Sequence, residues 1–131
     1  MNLLVDTDVL SFAYKKDSRA ALYESHLEGN FLIISFMNLA ELKLWTLGNN
    51  WSEKRKSDFA EFLKDYLVIY PDEKLCEIWA KIISDAHKKG RPIETADAWV
   101  AAVALMFDVP LVTHNRKHFE NVTNLKIISE A

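Results

Sequence analysis

The chain has 131 residues, with 19 acidic residues against 16 Lys and Arg for a formal net charge of −3, and half of it is hydrophobic with three Gly and three Pro. This is the composition of one packed domain over residues 1–131, and it excludes a disordered or fibrous chain and a protein that coats nucleic acid by bulk positive charge. A single cysteine, Cys76, excludes an intrachain disulfide and a cysteine-based metal site; with no signal-like start and no apolar run of ~18 residues, the expectation is a cytoplasmic protein without a membrane span.

In chain order, Leu3-Leu4-Val5 reads as a short buried strand that stops at Asp6, and Asp17-Ser18 caps a helix running towards Leu27, which Gly29-Asn30 breaks. Phe31 to Ile34 is a second buried strand. Ser35 caps a helix through Leu39, Leu42 and Trp45 to about Leu47, with Gly48-Asn49-Asn50 as its stop. A helix from Trp51 or Ser52 to about Tyr66 follows, then a third strand, Leu67 to Tyr70, closed by Pro71. Asp72 caps the next helix, on which Leu75, Ile78, Trp79, Ile82 and Ile83 recur at helical spacing until Lys88-Lys89-Gly90-Arg91-Pro92 ends it. The helix from about Thr95 to Phe107 carries Ala98, Ala101, Ala102 and Ala104, small residues that permit close approach to a sheet. Pro110 to Thr113 is a fourth strand, and Leu125 to Ile128 a fifth at an edge. Apolar strands separated by helices predict an α/β sandwich whose mostly parallel central sheet is covered on both faces.

Ligands of such sheets bind beyond the carboxyl ends of the strands. Asp6 directly follows strand one, Glu41 lies within two turns of the helix after strand two, Asp97 is in the first turn of the alanine-rich helix, and Asn115 stands just past strand four. These four can converge on one rim. Each also has an ordinary alternative: Asp6 or Asp8 caps the helix leaving strand one, with the cap assigned to Asp8; Glu41 is a surface residue; Asp97 complements its helix dipole. Against those, Asp6 ends an apolar run, where a charge is costly unless a cation meets it. The neighbours Leu39, Ala40, Leu42 and Leu44 leave Glu41 little polar face, and Asp97 shares its face with Ala101 and Ala104, which turns it towards the sheet.

Carboxylates gathered at one rim stay ionised when a cation joins them, and oxygen ligands without a His or Cys cluster suit Mg²⁺ or Mn²⁺ better than zinc. His114 and His118 stand at i and i+4 but follow a strand where no helix is assured, and read as surface or substrate-contacting residues. Such a site suits phosphoester hydrolysis. Phosphate partners are available in Lys15-Lys16 with Arg19, Lys54-Arg55-Lys56, Lys88-Lys89 with Arg91, and Arg116-Lys117, each of which is equally a solvated helix end. Trp45, Trp51 and Tyr14 are candidates to stack on exposed bases, with buried packing as the alternative.

The ordered segments Leu3-Leu4-Val5-Asp6-Thr7-Asp8-Val9-Leu10, Leu39-Ala40-Glu41-Leu42, Ala96-Asp97-Ala98-Trp99-Val100-Ala101-Ala102 and Leu111-Val112-Thr113-His114-Asn115 with Phe119 resemble the motifs of PIN-domain nucleases, and the short length resembles the VapC-like toxins within that family. The resemblance implies a PIN-like three-layer sandwich with four to five strands, and metal-dependent endoribonuclease activity in which water attacks the scissile phosphate in line and the 3′ oxygen leaves. It implies that Asp6, Glu41 and Asp97 hold Mg²⁺ or Mn²⁺ and that Thr113 supports them through its hydroxyl. Asn115 takes the fourth catalytic position, often Asp, and offers a carbonyl oxygen without charge, while His114, Arg116 and Lys117 are expected to contact substrate. A homodimer and a small antitoxin partner are implied in the same way. Two other readings remain at this stage: a PIN-like module that binds RNA or protein without cutting, and a haloacid-dehalogenase-type phosphatase, which Asp6-Thr7-Asp8 also resembles but which lacks its later acidic pair here.

Overall fold

The computed structural model describes every residue except Asn49, so that part of the expected Gly48-Asn49-Asn50 stop lies outside the described residues. Five strands form the central sheet: β1 (Asn2–Val5), β2 (Phe31–Ser35), β3 (Leu67–Ile69), β4 (Leu111–Val112) and β5 (Ile127–Ile128). Their order is β3-β2-β1-β4-β5 and every pairing is parallel, with Leu4 opposite both Ile33 and Leu111. The chain therefore builds outward from β1 to β3 and then crosses back to place β4 on the other side of β1. That reversal opens a crevice between β1 and β4 at their carboxyl ends.

Side chains alternate across the sheet and fill two cores. On one face Leu4, Ile33 and Leu111 meet the buried alanines and valines of α6 (Thr95–Phe107), with Leu75 and Ile82 of α5 (Glu73–Lys88) behind them. On the other, Leu3, Val5, Ile34 and Val112 meet Val9, Leu10 and Phe12 of α1 (Thr7–Lys15) and Tyr23 of α2 (Ala21–Leu27). An aromatic cluster continues this second core: Tyr14, Trp45 and Trp51 pack with Phe59 of α4 (Glu53–Leu63), Trp45 coming from α3 (Phe36–Gly48). These rings pack on one another, and Lys15 and Arg55 lie over Trp45 and Trp51 at 4.7 and 3.9 Å.

Several boundaries differ from the sequence reading for local reasons. The helix expected from Asp17 is two pieces: Asp17 caps a short 3-10 turn (Ser18–Ala20), accepting from the Arg19 N–H at 2.9 Å, and α2 begins only at Ala21. The cap of α1 is Asp6, not Asp8, because the chain turns helical immediately after Val5; Asp6 accepts from the Thr7 N–H, and Asp8 lies inside the first turn. α4 stops at Leu63, short of Tyr66. A four-residue helix, α7 (Arg116–Phe119), follows β4 where no helix was assured.

Candidate active site

Each wall of the β1–β4 crevice has its own local origin. Ser35 and Asn38 at the start of α3 bond reciprocally: the Ser35 N–H and hydroxyl donate to Asn38 Oδ1 at 3.1 and 2.8 Å, and the Asn38 N–H donates to Ser35 Oγ at 3.0 Å. Because a backbone N–H can only donate, the Asn38 carbonyl faces Ser35 and its amide faces the crevice. From there Nδ2 donates to Asp6 Oδ1 at 3.1 Å and to Thr7 Oγ1 at 3.0 Å. The Thr7 hydroxyl then has its single proton left for Glu41 Oε1, 3.0 Å away. One buried amide thus orients a carboxylate directly and a second through a hydroxyl.

Asp6 is 8% exposed, and three neutral donors meet it: the Thr7 N–H, the Asn38 amide and, on Oδ2, the Thr113 hydroxyl at 2.8 Å. Thr113 Oγ1 in turn accepts from the Asn115 N–H at 3.0 Å, which ties the end of β4 to the end of β1. Asp8 makes a second tie, accepting from the Val9 N–H at 2.7 Å and from the His114 N–H at 3.0 Å. Asp97 lies in the first turn of α6, its side chain 22% exposed, and Oδ2 is 3.3 Å from His118 Nδ1 of α7.

Burial raises all four carboxyls of the site above their ordinary values. Burial raises the Asp6 carboxyl above the usual range, against the hydrogen bonds from Thr113, Thr7 and Asn38 that lower it. Asp8 is pushed up to about 6 by burial and then by the charge of Asp6. Glu41 stands at the exposed rim, and Glu41 and Asp97 are both raised, first by desolvation; the charge of Asp6 raises each further, while Thr7 lowers Glu41 and His118 lowers Asp97. A site that keeps several carboxylates together at this cost to ionisation favours a cation among them.

Asp6, Glu41, Asp97 and Asn115 all line one cleft of about 430 Å³, with Thr7, Asp8, Ser11, Trp45 and His118. Among the described residues no three His, Cys, Asp or Glu side chains are gathered as a ready metal cage. The donor chemistry nevertheless fits a hard divalent cation: the ligands are oxygens, and Asp6 Oδ2 carries one hydrogen bond and so keeps an acceptor lone pair. The Asn115 side chain makes no helix-capping bond.

Of the residues expected to contact substrate, His114 is turned away from the cleft. Its Nδ1 is paired with the Tyr23 hydroxyl at 2.6 Å and its ring packs edge-on against Phe12, so it serves the core beneath the site. Arg116 and Lys117 are exposed on α7, beside the cleft and outside its lining. Thr7 and Asn38 are participants that the sequence reading left out of the site, while His118, read there as a surface or substrate-contacting residue, meets Asp97. A signal for Asn38 was present in Ser35-x-x-Asn38, a capping-box spacing that leaves a polar side chain inside an apolar helix start.

Comparison with known proteins supplies the family. The PIN domain family matches residues 3–125. Ribonuclease VapC1 of Haemophilus influenzae strain R2866 is 30% identical over 128 residues, covering 96% of each chain, and Ribonuclease VapC2 of Rickettsia felis is 28% identical over 127 residues, covering 95% of each. Among solved structures, VapBC2 from Rickettsia felis bound to a promoter DNA fragment superposes with a TM-score of 0.86 at 26% identity over the whole of both chains. VapBC-1 from nontypeable Haemophilus influenzae gives 0.83 at 29% identity over 98% of both. A PIN match over nearly the whole chain removes the phosphatase reading, and the chain belongs to the PIN-domain family, among the VapC-type ribonucleases.

Proposed function

We propose that the protein is a Mg²⁺- or Mn²⁺-dependent endoribonuclease, the toxin of a toxin-antitoxin pair, and that residues 1–131 form its one nuclease domain. The observation that carries this reading is the delivery of Asp6, Glu41 and Asp97 from three separate elements to one cleft at the switch point of the sheet. Asp6, Glu41 and Asp97 would hold the cation, with the Asn115 carbonyl oxygen as a neutral fourth group. A bound divalent cation polarises a phosphate oxygen and lowers the pKa of water near it. The chain's own contribution is order: Asn38 fixes Asp6, Thr7 fixes Glu41, Thr113 locks the β4 end onto Asp6, and His118 restrains Asp97. Hydrolysis forms a bond from water oxygen to phosphorus as the bond to the 3′ oxygen breaks.

The likeness to VapBC assemblies supports a small antitoxin partner, and the exposed Leu44, Leu47, Leu67 and Tyr70 offer apolar surface for a homodimer. Among the described residues no helix is long and apolar enough to cross a membrane, which is in keeping with a cytoplasmic enzyme. The test is cleavage of purified cellular RNA with Mg²⁺ or Mn²⁺, with EDTA, and by Asp97→Asn. Cleavage that requires the ion and disappears in the variant is expected; ion-independent cleavage, or cleavage by the variant, overturns the reading.

A further inference from the structure

A second, larger hollow of about 820 Å³ adjoins the acidic cleft and shares Asp97 and His118 with it. It runs between α5 and α7. Its floor is apolar, formed in part by Ile78 and Ile82 of α5 and by Val122, all packed onto the alanine-rich core. The volume lies in the ~300–1,000 Å³ range of sites that enclose small organic groups.

The charges around it sort into two kinds. Lys81 is paired with Asp85 at 3.5 Å and Asp108 with Lys126 at 3.2 Å, so these cancel locally. Lys89 and Arg91 are held by neutral oxygens instead: Lys89 Nζ donates to Thr123 Oγ1 at 2.7 Å and to the Asn121 carbonyl at 3.3 Å, and Arg91 Nη1 donates to Asn121 Oδ1 at 2.7 Å. Neither is paired with a carboxylate, and both reach from the end of α5 to acceptors on the loop after α7. Lys117 lines the same hollow and, among the described residues, has no hydrogen-bond or ion-pair partner. Lys89, Arg91 and Lys117 thus border the apolar floor without carboxylate partners, and of Glu94 and Asp97, the acidic residues in the lining outside the two ion pairs, Asp97 marks the border shared with the acidic cleft. Single-stranded RNA is recognised by this pairing of surfaces, phosphates on Lys and Arg and bases on apolar or aromatic faces.

Resting on the ribonuclease reading above, we infer that this groove is an RNA subsite: it takes nucleotides flanking the scissile phosphate, with a base on the Ile78–Ile82 floor and the adjoining phosphates on Lys89, Arg91 and Lys117. A strand whose scissile phosphate lies at Asp97 has to leave the cleft, and the shared Asp97–His118 border leads it here.

The test uses the full-length Asp97→Asn chain, so that RNA is bound without being cut, and a fluorescein-labelled single-stranded RNA of mixed sequence followed by anisotropy across a salt series. Adding Lys89→Glu, Arg91→Glu and Lys117→Glu together is expected to weaken binding at least ~10-fold at low salt and to reduce the slope of log K against log salt by about 2, the value for three single-strand phosphate contacts. Because Lys89 and Arg91 also hold the loop at Asn121 and Thr123, Lys117→Glu alone is the second variant; it breaks no contact in the fold and should still reduce the slope by ~0.7. Unchanged affinity and slope in both variants overturn the subsite and leave the ribonuclease reading standing, since that depends on Asp97 and the ion. Unchanged RNA binding with lost binding of a poly-glutamate peptide likewise overturns it, giving the groove to an acidic protein tail.

Discussion

Asp6 and Asp97 face the same cleft under opposite conditions. Asp6 is almost wholly buried, bonded on both oxygens by neutral donors from α1, α3 and β4, and it also caps α1. Asp97 rises from a helix that alanines bring close to the sheet, but its carboxylate stays at the rim with one partner, His118. The contrast separates fixed geometry from adjustable charge. A carboxylate held as rigidly as Asp6 can set the origin of a metal site, while one held as loosely as Asp97 can move as an ion or phosphate arrives.

The largest expected effects test that division directly. Both Asp6→Asn and Asp97→Asn should abolish RNA cleavage, beyond the ~10–100-fold typical of losing a supporting partner. Their stabilities should diverge. Burial raises the Asp6 carboxyl, so its charge costs the fold in the absence of metal, and the neutral amide should raise the melting temperature of the metal-free chain. Asp6→Ala should do the reverse, because it strands the Asn38 amide and the Thr113 hydroxyl at ~1–3 kcal/mol for each unsatisfied group. Equal melting temperatures for the three chains in EDTA would remove the distinction drawn here.

Next in size is the amide that supports both walls. Asn38→Leu keeps the branching at Cγ but loses the bonds to Ser35, Asp6 and Thr7, and with them the restraint on Glu41. Cleavage and Mn²⁺ affinity measured by calorimetry are each expected to fall ~10–100-fold. Asn38→Gln carries the same groups on a longer stem and should recover little. Loss of cleavage with unchanged Mn²⁺ affinity would place the role of Asn38 away from the ion.

The legibility of the site in the sequence follows the same split. Asp6, Glu41, Asp97 and Asn115 stand at strand ends or in the first two turns of helices, where apolar periodicity marks the boundaries, and the structure brings all four to one cleft. The parallel sheet follows from five apolar runs separated by helices, although the runs do not carry the strand order and β4 has only two residues where four were expected. What periodicity does not carry is the direction of a hydrogen bond. Thr7 and Asn38 are residue types common at any helix start, and their meaning depends on Ser35 turning the amide towards Asp6 across two elements. His114 and His118 show the limit of spacing as a guide: four residues apart, one is drawn into the core by Tyr23 and the other meets Asp97. The aromatic candidates pack on one another over the second face of the sheet, and Trp45 also lines the cleft.

A smaller effect concerns pH. Asp8 has an ordinary value of 3.8 that is pushed up to about 6 in the fold, so the folded state holds this proton more tightly than the unfolded one. Its contribution is fully present below the unfolded value and is lost as pH rises through about 6. Metal-free protein should therefore melt at a higher temperature at about pH 5 than at about pH 8 on account of this group, and Asp8→Asn should flatten that difference. Saturating Mn²⁺ should restore stability on the alkaline side, since an ion that binds only the folded state adds RT ln(1 + [L]/Kd). A pH profile identical in wild type and Asp8→Asn would show that the raised value does not govern the fold.

The mildest change adds charge where the chain has none. Asn115 occupies the cleft with its side chain outside any capping bond, 3.0 Å of backbone contact to Thr113 setting its position. Asn115→Asp would put a further carboxylate beside Asp6, Glu41 and Asp97, all of which are already raised by desolvation, and Glu41 and Asp97 also by the charge of Asp6. Without metal the added repulsion should lower stability by ~0.5–1 kcal/mol, as expected for one more partly exposed charge pair. With Mn²⁺ the sign reverses, and affinity should rise a few-fold because the ion gains an anionic ligand in place of a neutral one. Opposite shifts in the two conditions, read by thermal melting with EDTA and with Mn²⁺, would mean that the neutral residue at 115 trades ion affinity for tolerance of the empty cleft. Parallel shifts would mean that the residue lies too far from Asp6 and Asp97 to take part.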